Sequence, residues 1–145
     1  MDPHKNLIKI LLAEDNEDDI IMIEDAFEHS KIINSFEVVK NGEEALAFLR
    51  KEGPYAHKER PGLIMLDINM PKKNGFEVLE ALKKDPQFDY IPVIMLTTSE
   101  REEDIVKSYK EGACSYITKP VSFNNFAKVI EQIALYWGLI AKIPN

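Results

Sequence analysis

The chain predicts a three-layer α/β domain: five parallel strands with helices on both faces, wound in two directions from the middle of the sheet. Three observations lead there. Short apolar runs bounded by turn residues alternate five times with segments of helical periodicity. Each apolar run ends in a polar or charged residue and is followed by a helix-start signal. At 145 residues the chain fits one domain and falls far short of a closed eight-fold barrel. Alternation of this kind requires right-handed crossovers between parallel strands. An open sheet in the order 2-1-3-4-5 then places strands one and three side by side at the switch point.

The first strand is read over Leu7–Ala13, apolar except for Lys9, and it delivers Glu14 and Asp15 at its end. Asn16, three residues before Asp19, caps an amphipathic helix that runs to about His29. Ser35–Val39 is the second strand, and Asn41-Gly42-Glu43-Glu44 opens the second helix through Ala45, Leu46, Phe48 and Leu49. Residues 52–62 hold two prolines, two glycines and several charges, and are read as a long loop.

The third strand, Leu63-Ile64-Met65-Leu66, runs straight into Asp67 and then Ile68-Asn69-Met70-Pro71. An unbroken apolar run of this length predicts a strand buried on both faces. Asn74-Gly75-Phe76-Glu77 caps the third helix, and Phe76, Val78, Leu79 and Leu82 form its apolar side before Pro86. Ile91–Leu96 is the fourth strand and leads into Thr97-Thr98-Ser99. Ser99 and Glu102 have the spacing of a capping box for the fourth helix, which Gly112 ends. Cys114–Thr118 is the fifth strand, followed by Lys119-Pro120, and Ser122 begins a last helix reaching Leu139 or Ile140.

Composition excludes several classes of function. A net charge of −7 disfavours a standing affinity for DNA or anionic membranes, both of which need clustered Lys and Arg. A single cysteine, Cys114, permits no internal disulfide and is read as a small buried residue. The first residues carry no secretory signal, and no stretch approaches the ~20 apolar residues of a membrane span. The expectation is a soluble, cytoplasmic protein.

The predicted sheet order brings Glu14, Asp15 and Asp67 to one crevice, with Thr97 and Lys119 arriving from the ends of strands four and five. Each has a plain alternative. Acids suit a helix N-terminus, an Asp or Thr after a strand caps a turn, and a lysine sits on the surface. Their coincidence at four strand ends points to chemistry. Three close carboxylates repel one another and need a counter-charge, which a hard divalent cation such as Mg²⁺ supplies while keeping waters for phosphate oxygens to displace. Lys119 adds a second positive charge and Thr97 a hydroxyl donor. A carboxylate so neutralised is a competent nucleophile toward a phosphoryl group.

These residues carry a resemblance. Glu14-Asp15, Asp67-Ile68-Asn69-Met70-Pro71 followed by Asn74-Gly75, Thr97, and Tyr116 three residues before Lys119-Pro120 together resemble the receiver domain of bacterial two-component response regulators, a flavodoxin-like fold, over residues 6–141. The resemblance implies that Asp67 accepts a phosphoryl group from a phosphohistidine on a sensor histidine kinase. It implies Mg²⁺ held by Asp15 and Asp67 directly, by Glu14 through water and by the backbone carbonyl of Asn69. Thr97 and Lys119 would contact the phosphoryl group, Thr97 and Tyr116 would form the switch, and Lys119-Pro120 would carry a cis peptide.

Glu14-Asp15 departs from the commoner pair of aspartates, and the longer arm of Glu bears on its water-mediated contact. The long charged loop, Leu96-Thr97-Thr98-Ser99 and the Trp-bearing last helix resemble, more narrowly, small regulators paired with bacterial phytochrome kinases. An Asp-nucleophile phosphatase of the haloacid dehalogenase kind would want a second aspartate at position 69. Asn69 stands there and cannot shuttle protons. A nucleotide-binding domain would show a Gly-rich turn after the first strand, which this chain lacks.

With the chain ending after its fifth helix, no DNA-binding output domain is expected. The output is protein contact or, alternatively, relay of the phosphoryl group to a histidine phosphotransfer protein. The last helix carries Phe126, Ile130, Ile133, Trp137 and Ile140 along one stripe, with Leu135, Tyr136 and Leu139 besides. A homodimer through the fourth helix, fifth strand and last helix is the expected use of that apolar surface.

Overall fold

The computed structural model describes residues 8–28, 34–98 and 101–119, with Asn124 and Lys128. The rest of the last helix and Pro120, and with them the cis-peptide expectation, lie outside the described residues. Five strands, β1 (Ile8–Ala13), β2 (Asn34–Val39), β3 (Leu63–Asp67), β4 (Val93–Thr97) and β5 (Ser115–Thr118), form one sheet in the order β2-β1-β3-β4-β5. Every neighbouring pair is parallel, as the alternation with helices predicts. The helices are α1 (Glu17–Glu28), α2 (Gly42–Leu49), α3 (Gly75–Lys83) and α4 (Glu102–Lys110).

Successive strand residues face opposite sides, and the core divides accordingly. Ile10, Leu12, Leu63, Met65, Ile94, Leu96 and Ile117 pack with Ile20, Ile23, Ala26 and Phe27 of α1. Leu11, Ala13, Ile64, Leu66, Val93 and Met95 pack with the apolar sides of α2 and α3. All five residues of β3 and of β4 are buried, as befits central strands covered on both faces.

The caps follow the sequence closely, with one exception. Asn16 Oδ1 accepts the Asp19 N–H at 3.0 Å, and Asn41 Oδ1 accepts the Glu44 N–H at 2.9 Å. At α3 the capping box is complete, with Glu77 reaching back to the Asn74 N–H. The expected Ser99–Glu102 box does not head α4. Its N-cap is Arg101, with no side-chain cap bond, and Ser99 lies outside the described residues. The first turn of α4 instead gathers Glu102, Glu103 and Asp104, which the positive end of a helix dipole favours.

Cys114 is exposed, contrary to the buried role expected of it. It precedes β5 at the sheet's edge, where its N–H donates to the Val93 carbonyl. The loop over 52–62 contains a 3-10 turn, Gly53–Tyr55, and is fastened to the body. Tyr55 tilts on Phe48, Lys58 pairs with Glu37 at 2.9 Å, Lys9 pairs with Glu59, and Arg60 lies over the Phe88 ring.

Two glycines bring helices against the turn after β3. A Cβ on Gly75 would lie 2.5 Å from the Asp67 carbonyl oxygen, and one on Gly42 would lie 2.2 Å from that of Lys73. Between them the chain makes a γ-turn. The Lys73 N–H donates to the Pro71 carbonyl at 2.8 Å, and Lys72 takes φ +67°, a strained choice for a residue with a side chain.

Candidate functional site

Each candidate residue sits where a strand ends. Glu14 and Asp15 follow β1, Asp67 is the last residue of β3, Thr97 the last of β4, and Lys119 follows β5. Strand alternation separates them further. Glu14, Asp67 and Lys119 continue the side that packs on α1, marked by Leu12, Met65 and Ile117. Thr97 continues the side of Val93 and Met95, and Tyr116 packs against that same α2–α3 core.

The acids converge as expected. Carboxylate oxygens of Glu14, Asp15 and Asp67 lie within 4.8 Å of one another. Asp67 is 4% exposed; its Oδ1 accepts the Asn69 N–H at 3.2 Å and its Oδ2 faces Lys119 Nζ at 3.3 Å. Lys119 also meets Glu14 Oε1 at 2.5 Å and Asp19 Oδ2 at 2.9 Å. Glu14 is fully buried; its Oε2 accepts the Asn16 N–H at 3.2 Å. Its Oε1 makes no hydrogen bond of acceptable geometry among the described residues and is compensated by the Lys119 ammonium.

Burial, and then hydrogen bonding with Asp67, pushes the Glu14 carboxyl up from 4.5 to about 7 against the opposing pull of Lys119. Burial pulls Lys119 down, but Glu14, Asp19 and Asp67 outweigh it and hold the ammonium above its ordinary range. Three carboxylates, Glu14, Asp19 and Asp67, meet the one ammonium of Lys119, and Asp15 adds a fourth acid beside Glu14 and Asp67. The site lacks positive charge. An all-oxygen donor set at this spacing fits a hard divalent cation.

Thr97 is buried beside the cluster, and its carbonyl accepts the Lys119 N–H at 2.6 Å. Asn69 is exposed in the turn just after Asp67. Tyr116 stands apart from the acids. It pairs in register with Met95, and its ring meets that of Tyr109 edge-on at 6.1 Å between centroids. Asp19 is the site residue that sequence reasoning missed. Its position predicts a helix-cap partner, and its pairing with Lys119 comes from the far end of the chain.

The profile of the response regulator receiver domain matches residues 10–131. The chain belongs to the response regulator receiver family. The receiver is 38% identical over 135 residues to Response regulator Rcp1 of Synechocystis sp. (strain ATCC 27184 / PCC 6803 / Kazusa), covering 93% of this chain and 92% of Rcp1. It also resembles the crystal structure of the phosphorylated cyanobacterial phytochrome response regulator RcpA, with 42% identity and a TM-score of 0.79, covering 95% of this chain and 99% of that one. The crystal structure of the Mn²⁺-bound form of response regulator Rcp1 superposes with a TM-score of 0.79 at 36% identity, over 95% of this chain and 99% of the chain in that crystal. The receiver is thus a response regulator of signalling, close in sequence and fold to phytochrome-associated regulators.

Proposed function

We propose that Asp67 accepts a phosphoryl group from a phosphohistidine on a sensor histidine kinase, with Mg²⁺ as the cation. The observation that carries this reading is the setting of Asp67: a buried carboxylate ending a central strand, among Glu14, Asp15 and Lys119. A carboxylate oxygen of Asp67 attacks phosphorus, the bond from phosphorus to the imidazole nitrogen breaks, and the electron pair leaves with the imidazole. Asp15 and Asp67 would hold Mg²⁺, with Glu14 acting through water and Asn69 through its carbonyl. Bound there, the ion would neutralise charge on the phosphoryl oxygens. Lys119 and the Thr97 hydroxyl take the oxygens of the transferred group, and Thr97 communicates the event to Tyr116. The residue acts as a phosphoacceptor that catalyses its own loading and hydrolysis rather than as a turnover catalyst.

The receiver unit spans residues 6–141 and works in the cytoplasm; no helix among the described residues is long and apolar enough to cross a membrane. A phytochrome-type kinase is the donor that likeness to RcpA and Rcp1 supports. The test is direct. Acetyl phosphate with Mg²⁺ adds one base-labile phosphoryl group, read by intact mass. Asp67→Asn takes none and Asp15→Ala almost none; an Asp67→Asn protein modified as readily as wild type refutes the assignment.

A further inference from the structure

Two helices of this protein begin with the same signal and use it differently. At α3, Asn74 Oδ1 accepts the Glu77 N–H at 2.9 Å and Glu77 Oε1 returns to the Asn74 N–H at 3.3 Å, so the acid is consumed by the cap. At α1, Asn16 Oδ1 accepts the Asp19 N–H at 3.0 Å, but Asp19 does not return the bond. Glu14 Oε2 takes the Asn16 N–H instead, at 3.2 Å, which leaves the Asp19 carboxylate available to Lys119 Nζ at 2.9 Å. Glu14 Oε1 then meets the same ammonium at 2.5 Å and closes a ring: Glu14, Asn16, Asp19, Lys119.

We propose that Asp19, held on the first turn of α1 by Asn16 and paired with Lys119, is a positioning residue that aims the Lys119 ammonium at the phosphoryl group on Asp67. An ammonium has three N–H donors. Here three carboxylates surround it, those of Glu14, Asp19 and Asp67. When a phosphoryl oxygen replaces the Asp67 contact, the carboxylates of Glu14 and Asp19 still hold the ammonium from two sides. The ammonium therefore stays pointed at the reacting group, without the cost of ordering a long side chain during transfer. With Glu14 alone the side chain can swing about a single contact. Asp19 is no member of the candidate metal cluster, which comprises Glu14, Asp15 and Asp67. The proposal rests on Asp67 being the phosphoacceptor.

The experiment measures initial phosphorylation rates over a range of acetyl phosphate concentrations up to saturation, with Mg²⁺, by intact mass. Asp19→Asn is expected to lower the maximal rate about tenfold, with the donor concentration for half-maximal rate unchanged. Asp19→Glu, which keeps the charge, recovers part of that loss. Asp18→Asn is the control: it removes a neighbouring, exposed acid from the same helix turn and leaves the rate at the wild-type value. In a Lys119→Met background the Asp19→Asn change has no further effect, because its route of action is gone. A wild-type rate in Asp19→Asn overturns the proposal, as does an equal loss in Asp19→Asn and Asp19→Glu. The same tenfold loss without Lys119 overturns it too. Loading of Asp67→Asn at the wild-type rate would instead refute the phosphoacceptor reading, independently of these ratios.

Discussion

At the scale of single residues, Glu14 sets the chemistry of the resting site. The unfolded chain releases its proton near 4.5, whereas the folded chain keeps it until about 7. Between those values the folded state binds more protons, so the stability of the metal-free protein falls as pH rises from about 4.5 to about 7. The effect is at most about 3 kcal/mol for a shift of this size. Protons and the cation compete for the same acids over that window, so Mg²⁺ affinity should climb with pH and level off above about 7. Urea unfolding and calorimetric titration across pH 5–8 check both trends, and Glu14→Gln should flatten them. Asp67 and its companions were legible in the sequence because each ends an apolar strand. Asp19 was not, because a helix-cap pattern explains it locally and its partner Lys119 lies on the far side of the chain.

At the scale of elements, the turn after β3 is gripped by close backbone approach. Gly75 sits on the Asp67 carbonyl and the Ile68 Cα, where a methyl group would come within 2.5 Å and 2.9 Å of backbone atoms that cannot swing away. Gly75→Ala should therefore cost about 1–3 kcal/mol by overpacking. Moving Asp67 should slow phosphorylation as well. Asn74→Ala, one residue earlier, removes a capping box and should cost about 1 kcal/mol while leaving the turn in place. Urea midpoints beside phosphorylation rates separate the two outcomes.

The sheet order and three of the four described helix caps were readable from local pattern, since Asn three residues before an acid satisfies orphan N–H groups whatever the fold. The start of α4 was not. Ser99 and Glu102 have the right spacing, yet the helix takes Arg101 as its cap, because backbone position after β4 decides which residue stands at the boundary. The fastening of residues 52–62 was equally hidden. Its contacts, Tyr55 with Phe48 and Arg60 with Phe88, depend on the tertiary fold.

At the scale of the whole molecule, α4 contributes only Ser108 to the buried set, while Val106 and Tyr109 are 55% and 49% exposed. With half-buried Tyr116 beside Tyr109, they form an apolar face on α4 and β5. A homodimer through α4, β5 and the last helix is the use we propose for that face. Its affinity can respond to phosphorylation only through a difference between the two forms, of order 1–3 kcal/mol in typical couplings. Sedimentation with and without beryllofluoride should show the dimer tightening by roughly 5- to 150-fold. Equal dissociation constants would assign the face to a different partner.

Strand alternation has a further consequence. Glu14, Asp67 and Lys119 stand on the side of the sheet that α1 covers, while Thr97 and Tyr116 continue the other side. The two meet only at the rim where Asp67 ends its strand. The exposed faces of α1 and α4 therefore lie on opposite sides of the β-sheet. Substitutions on the exposed side of α1, at Ile21 or Met22, and on that of α4, at Val106 or Tyr109, should act independently, with stability effects that add within about 0.5 kcal/mol in a double-mutant cycle.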